Sequence, residues 1–186
     1  EYTIQIDENG IINIKYEVEN SPEGKTIEEA GLKFITGNSF EKLTWDRNSY
    51  FTAYPETDIG RAKGVVDLSI KPEMIYREKP QHNWEMDSKG FYYFGLYEEL
   101  PYTNVARSLK ENIYTYSLTT RVNAGIKVFS NGSQACRFDN IDGENTLIIN
   151  DQWDYVSLLW GNYMKMLPSE KEFQGNVMLA VFRREQ

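Results

Sequence analysis

Regular alternation of apolar and polar residues is the feature that most constrains what this chain can fold into. Residues 2–6 and residues 12–18 both follow this pattern, and Asn9-Gly10 lies in the short stretch between them. Successive side chains of a strand point to opposite faces, so the pattern predicts strands with one buried face. Two such runs around an Asn-Gly turn predict a β-hairpin.

Similar short runs recur along the rest of the chain, separated by turn residues. Asn131-Gly132 is predicted to form a hairpin turn that leads into the next strand, and a weak helical pattern is confined to residues 155–167. Many short strands with turns between them are typical of a β-sandwich or barrel, so we expect one all-β domain over residues 1–186. Beyond the first hairpin, strands are predicted over residues 30–35, 41–45, 65–70, 113–120, 125–130, 134–138, 146–150 and 175–184.

The charge balance argues against two classes of partner. The chain has 28 acidic and 20 basic residues, and its formal net charge is -8. Binding to nucleic acid or to an anionic membrane surface requires a basic patch, and the sequence has no basic run. It also has no stretch of 18 apolar residues, as a membrane-spanning helix requires. We therefore expect neither a nucleic-acid partner nor a membrane partner.

Candidate catalytic and metal-binding groups are sparse. Cys136 and His82 are the single cysteine and the single histidine, which excludes an internal disulfide and a structural zinc site made from these residue types. His82 has no nucleophile motif near it, and the run 139–144 is rich in oxygen ligands but lacks the spacing of an EF-hand. We predict no cofactor and no metal, and we interpret three pairs of acids as solvated turn residues: Glu98 with Glu99, Asp139 with Asp142, and Asp151 with Asp154.

One segment combines aromatic rings with polar side chains in the way that sugar recognition requires. A flat ring stacks on the C–H face of a sugar, and amides or carboxylates bind its hydroxyl groups. The same tryptophans would also suit a hydrophobic core, so both interpretations stay open. The carbohydrate-binding candidates are Trp153, Asp154, Trp160, Asn162 and Tyr163.

Three motifs occur in an order that resembles one known family. The first is Leu43-Thr44-Trp45-Asp46-Arg47, which continues to the run from Tyr54 to Arg61 that includes Asp58. The others are Tyr76-Arg77-Glu78-Lys79-Pro80 with Trp84, and Thr103-Asn104 followed by Arg107 to Tyr114. The ordered set resembles the C-terminal domain of β-galactosidase-like enzymes of glycoside hydrolase family 2, and the resemblance covers nearly the whole chain.

The resemblance implies a large antiparallel β-sandwich, a supersandwich of the galactose-mutarotase type. It also implies a longer parent enzyme whose catalytic glutamates lie on a separate barrel, so this domain alone would be non-catalytic and would pack on that barrel. In some relatives a loop of this domain offers a tryptophan to the substrate, and Trp160 is the nearest counterpart here. The implied partners are the other parent domains and a carbohydrate, either galactoside-like or a plant oligosaccharide, and we expect a periplasmic or secreted parent.

The residues that carry the resemblance are expected to have structural roles. Trp45 is predicted to anchor the segment 50–61, which contains Tyr54 and Asp58. Arg61 and Arg107 are predicted to hold this loop by charge-assisted hydrogen bonds to carboxylates or backbone carbonyls.

Two other functions remain open at this point. The chain would also suit a standalone carbohydrate-binding module, which needs exposed aromatic residues on one face. A structural interaction domain without a sugar role is the second alternative, and burial of Trp153 and Trp160 would favour it. An aldose epimerase is rejected, because that chemistry uses several histidines and the sequence has one.

Overall fold

The part of the chain that the structure describes is built mainly from antiparallel β-strands. The computed structural model describes residues 1–19, 26–27, 29–37, 40–49, 62–67, 108–141, 144–153, 167–168 and 172–183. Within these ranges the strands are β1 (Tyr2–Ile6), β2 (Ile11–Glu19), β3 (Thr26–Ile27), β4 (Glu29–Ile35), β5 (Phe40–Arg47), β6 (Lys63–Asp67), β7 (Ile113–Thr120), β8 (Ala124–Phe129), β9 (Ala135–Ile141), β10 (Glu144–Trp153), β11 (Leu167–Pro168) and β12 (Glu172–Arg183).

These strands form two main sheets and one short pair. The larger sheet has seven described strands in the order β1-β2-β12-β8-β7-β5-β6, and the smaller has three in the order β4-β10-β9. Strands β3 and β11 pair only with each other among the described residues. Every described pairing is antiparallel. The prediction of an antiparallel all-β fold is therefore confirmed.

The first hairpin has the turn that its sequence predicts. Gly10 has a φ of 76°, a left-handed conformation that glycine adopts without steric cost, and its N–H donates to the carbonyl oxygen of Asp7 at 3.0 Å. The carboxylate of Asp7 also accepts the N–H groups of Asn9 and Ile11, at 2.9 and 2.8 Å. These bonds fix the loop length and hence the register of β1 against β2.

One row of side chains crosses the core-facing side of the larger sheet. Each member is the register partner of the next, so the row runs through all seven strands. Its centre is fully buried, whereas Ile6 at the β1 end is 69% exposed. The row comprises Ile6, Ile12, Leu179, Val128, Tyr116, Trp45 and Gly64.

Residues of both sheets contribute to one hydrophobic core. Leu147, Ile149 and Phe138 of the smaller sheet belong to the same cluster as Tyr116 and Val177 of the larger sheet. Removing this much apolar surface from water is the main term that stabilises the domain. The core packs against β12, β8, β7 and β5. Burial of the sheet decreases towards β1, where Tyr2, Ile4 and Ile6 are all exposed.

Two predictions about local structure are wrong. Asn131-Gly132 does form a turn, and Gly132 has a φ of 97°, but the strands on either side belong to different sheets. The chain therefore crosses between sheets here instead of closing a hairpin, and the N–H of Gly132 donates to the carbonyl oxygen of Ile113 on β7. The helical pattern also fails at its last residue, Leu167, which pairs with Ile27 as a strand.

Several predictions lie outside the described residues. The helical pattern is one of these apart from its last residue, and so are the predictions for His82, Glu98, Glu99 and Asp142. Among the residues that the structure describes, no helix has the length and apolar character needed to cross a bilayer.

Candidate functional site

A β-bulge near the end of β10 positions the polar residues that surround the predicted sugar-binding segment. The pairing of β10 with β4 shifts register between Asn150 and Gln152, which leaves Asp151 as the extra residue. A bulge of this kind bends the strand and redirects a side chain. Here the redirected side chain is Asp151, which makes contacts with the larger sheet.

The carboxylate of Asp151 accepts hydrogen bonds from two other segments. The phenolic oxygen of Tyr16 on β2 donates to Oδ2 at 2.6 Å, and Nε2 of Gln134 donates to Oδ1 at 2.8 Å. Gln134 also donates to the carbonyl oxygen of Asn176 on β12, at 2.9 Å. Hydrogen bonds to a carboxylate are stronger than bonds between neutral groups. Asp151 therefore links β10 to the strands of the opposite sheet.

The environment of Tyr16 keeps its hydroxyl protonated. Burial raises the pKa of Tyr16 far above its ordinary value of 10.0, and the hydrogen bond to Asp151 raises it further. Desolvation disfavours the phenolate, and the negative charge of Asp151 opposes ionisation. Tyr16 therefore acts as a hydrogen-bond donor in this cluster and does not supply a base at neutral pH.

Gly175 allows Tyr16 and Asp151 to meet. Gly175 is the register partner of Tyr16 across β12 and β2, and a Cβ atom there would overlap both the Tyr16 ring and Asp151 Oδ2. Any larger residue would have to displace one of the two. The glycine is thus required by the close approach of these groups, not by its backbone angle.

A second polar cluster holds the smaller sheet together beside the bulge. Arg137 on β9 binds Glu29 on β4 through two nitrogens, with Nε at 3.0 Å and Nη2 at 2.6 Å. Nδ2 of Asn150 on the central strand β10 donates to the same carboxylate at 2.9 Å. This two-point arginine–carboxylate contact favours one geometry, so it fixes β4 and β9 on either side of β10.

Trp153 is the one predicted sugar-binding residue that the structure describes. It ends β10, is half-buried, and donates its indole N–H to Oε1 of Glu111 at 2.8 Å. This bond fixes the orientation of the indole ring. Intermediate burial means that Trp153 is neither a fully buried core residue nor a freely exposed platform.

The remaining candidates lie outside the described residues. Among the carbohydrate-binding predictions these are Asp154, Trp160, Asn162 and Tyr163, and among the motif residues they are Tyr54, Asp58, Arg61 and Arg107.

The first and third sequence motifs meet in the described structure. Trp45 of the first motif is 2% exposed, and Lys110 of the third lies over its ring with Nζ 4.5 Å from the ring centroid. Lys110 is itself 1% exposed and donates from Nζ to the carbonyl oxygen of Leu109 at 2.9 Å. A cation over an indole ring is favourable, and more so when it is desolvated. The adjacent Glu111 in turn binds Trp153.

The interpretation of Asp151 as a solvated turn acid is wrong. Asp151 lies within β10, is half-buried and accepts hydrogen bonds at both oxygens. Sequence reasoning also missed its partners, because Tyr16 lies 135 positions away and Gln134 gives no local signal. The only available hint was the break in alternation at Asn150-Asp151-Gln152, which is what a bulge produces.

Potential metal ligands do not form a cluster in the described part of the chain. No group of three or more His, Cys, Asp or Glu side chains suited to a metal ion occurs among these residues. Glu29 and Asp151 each accept hydrogen bonds from protein side chains at this site.

Comparison with known proteins gives no family assignment. No protein-family model matches this chain, and a search of curated proteins finds no relative.

Proposed function

We propose that this chain is a non-catalytic accessory domain of a β-galactosidase-like glycoside hydrolase of family 2. It packs on the catalytic barrel of its parent as a large β-sandwich of the supersandwich type. Its segment from Trp153 to Tyr163 contributes to carbohydrate binding there. The substrate class is galactoside-like, or a plant oligosaccharide.

The observation that carries this proposal is the meeting of motif residues that are far apart in sequence. Trp45 comes from the first motif, and Lys110 and Glu111 come from the third. Lys110 contacts Trp45, and Glu111 contacts Trp153 at the start of the predicted sugar-binding segment. One chain of contacts thus leads from the buried motif tryptophan to the aromatic candidate at the end of β10.

The fixed ring of Trp153 supports a role in sugar binding. A ring that is held before the ligand arrives loses little side-chain entropy on binding. The bonds from Asn150 and Arg137 to Glu29, and those to Asp151, fix β10 immediately ahead of Trp153. The polar network therefore supplies a rigid base for the segment that follows.

Titration of the domain with sugars tests this proposal. The domain is titrated with galactose, β-galactosides and plant oligosaccharides while tryptophan fluorescence and NMR shifts are recorded, first alone and then within its parent enzyme. Trp153→Ala and Trp160→Ala are compared with Tyr114→Ala, a matched removal of an exposed aromatic ring that lies against Gly132. We expect both tryptophan variants to raise the parent's KM by roughly tenfold with little change in kcat, and Tyr114→Ala to change neither.

Each outcome separates the proposal from its alternatives. Saturable binding by the isolated domain that Trp160→Ala abolishes indicates a standalone carbohydrate-binding module. An unchanged KM in both tryptophan variants, with no binding at millimolar sugar, indicates a structural interaction domain. A gene that encodes no glycosidase barrel beside this domain would contradict the accessory role.

A further inference from the structure

An apolar stripe of exposed side chains lies along β1, at the edge of the larger sheet as described. Among the described strands β1 pairs only with β2, so its other edge has no described partner. Every residue from Glu1 to Gly10 is exposed. An exposed edge strand is a template on which another strand can pair, and natural proteins usually protect it.

The hydrogen bonds at the two ends of β1 show which groups point outward. Glu1 and Glu17 exchange both backbone bonds, at 2.9 and 3.0 Å, and the N–H of Asp7 donates to the carbonyl oxygen of Ile11 at 3.0 Å. Bonded and non-bonded pairs alternate along an antiparallel ladder. The N–H and C=O groups of Tyr2, Ile4 and Ile6 therefore face away from β2, towards the open edge.

The same three residues form an uncovered apolar stripe. Tyr2, Ile4 and Ile6 are 68%, 62% and 69% exposed, although their register partners on β2 face the core. The other side chains of β1 are Thr3 and Gln5, and its pairing with β2 is regular. The strand therefore lacks the lysine, proline or bulge that commonly protects an edge strand. Three outward backbone pairs and three apolar side chains thus coincide on one five-residue strand.

The charges at the two ends of β1 indicate which kind of strand can pair with its outer edge. A second copy paired antiparallel about Ile4 would set Glu1 opposite Asp7 of the other copy at both ends, and each chain carries a net charge of -8. Like charges directly opposite each other destabilise a strand pair. The acidic ends of β1 instead favour a strand that carries Lys or Arg at its ends and apolar residues at alternate positions between them.

We propose that β1 is a docking edge, on which an extended strand from another domain of the parent enzyme adds to the larger sheet. This inference rests on the proposed function, under which the parent's other domains precede this one. A strand from them is then tethered near β1 at high effective concentration. Backbone bonds to Tyr2, Ile4 and Ile6 supply affinity, and contacts with the apolar stripe supply specificity.

Variants of Ile4 test the docking edge directly. Ile4→Pro removes one outward N–H without removing any bond to β2, and Ile4→Lys places a charge in the stripe. Gln5→Lys is the matched control, because it adds the same charge to the opposite face of the same strand. Circular dichroism and melting temperature of each variant establish that the fold is retained.

The probe is the parent chain upstream of residue 1, expressed as a separate polypeptide and mixed with this chain. We expect Ile4→Pro and Ile4→Lys to weaken binding by at least roughly tenfold, and Gln5→Lys to change it by less than about twofold. Hydrogen exchange supplies a second measurement. The amides of Tyr2, Ile4 and Ile6 exchange rapidly in the free chain and become protected on binding.

The outcomes distinguish the docking edge from the accessory function. Equal binding by all variants, without new protection at β1, would overturn the docking edge and leave the accessory function standing. Self-association of the free chain that Ile4→Pro abolishes would make a second copy the occupant and would also overturn it. An upstream chain with no glycosidase barrel overturns the accessory function, and with it the parent strand as occupant.

Discussion

Tyr16 on β2 donates its phenolic hydrogen to Asp151 on β10 across 2.6 Å, so this charge-assisted bond connects the larger sheet to the smaller one. Tyr16 is 2% exposed, and its contact is therefore largely shielded from water. The strength of such a bond and the cost of leaving its acceptor unpaired both depend on this shielding. The stability of the domain should respond to changes at either residue.

Replacing Tyr16 by Phe removes the donor and leaves Asp151 with Gln134 as its described side-chain donor. We expect the free energy of unfolding to fall by about 1.5–3 kcal/mol, as is typical for a hydrogen bond to a charged group. Urea denaturation measures this change. Tyr2→Phe is the matched control, because Tyr2 is 68% exposed. An equal loss in both variants would mean that the bond to Asp151 contributes nothing.

The same variant changes how stability depends on pH. The pKa of Tyr16 is raised in the folded state above its ordinary value of 10.0, mainly by burial, so the folded protein holds this proton more tightly than the unfolded chain. The resulting stability is fully present below pH 10 and is lost as pH rises towards the folded pKa, by at most about 1.4 kcal/mol per pH unit. Denaturation between about pH 9 and pH 11 should therefore show a steeper loss in the wild type than in Tyr16→Phe.

Gly175→Ala tests the close approach that brings Tyr16 and Asp151 together. The added methyl group would overlap both side chains, so one of them must move. We expect a loss of about 1–3 kcal/mol in the free energy of unfolding, which is typical of overpacking. Gly37→Ala is the control, because a Cβ atom there meets nothing within 4 Å. Similar melting temperatures for the two variants would contradict the tight contact.

Two tryptophan-to-alanine variants make the same substitution at a fully buried position and at a half-buried one. Trp45 is 2% exposed under Lys110, whereas Trp153 is only half-buried. We expect Trp45→Ala to cost about 3–5 kcal/mol, and Trp153→Ala clearly less. Thermal and urea unfolding measure both changes. An unchanged melting temperature for Trp45→Ala would contradict its place in the core.

Cys136 provides a test of native packing through its chemistry. The side chain is fully buried, and burial raises the pKa of its thiol, with the charge of Asp151 acting in the same direction. The thiolate is the reactive form, so a thiol reagent should react slowly with the folded chain and rapidly in denaturant. A colourimetric thiol assay follows both rates, and the single cysteine makes the signal unambiguous. Rapid reaction of the folded chain would show that β9 opens readily.

The presence of strands could be predicted from the sequence, because a strand with one buried face has an apolar residue at every second position. The predicted strand Ile113–Thr120 matches β7, and its alternation includes the buried pair Tyr116 and Leu118. The pairing of Thr26–Ile27 with Leu167–Pro168 was not predicted, since two residues are too few to show a period. Periodicity reports which residues share a face and says little about which strands meet.

The polar clusters could not be predicted for a different physical reason. Asp151 receives its bonds from β2 and from Gln134, and those distances in sequence are set by sheet topology. The Asn131-Gly132 turn shows the same limit. The turn was predicted correctly from its residues, but the strands before and after it belong to different sheets. Local patterns specify turns and faces, whereas long-range partners follow from how the sheets assemble.

The position of β12 between β2 and β8 also has a consequence for the order of folding. During synthesis the β1–β2 hairpin emerges before residues 172–183, which connect it to the other described strands of the larger sheet. A two-stranded hairpin alone is marginally stable in water. The hairpin must therefore wait while most of the domain is made, and loss of β12 would divide the sheet into two separate parts. Completion of this sheet is thus a late event that depends on contacts between segments far apart in sequence.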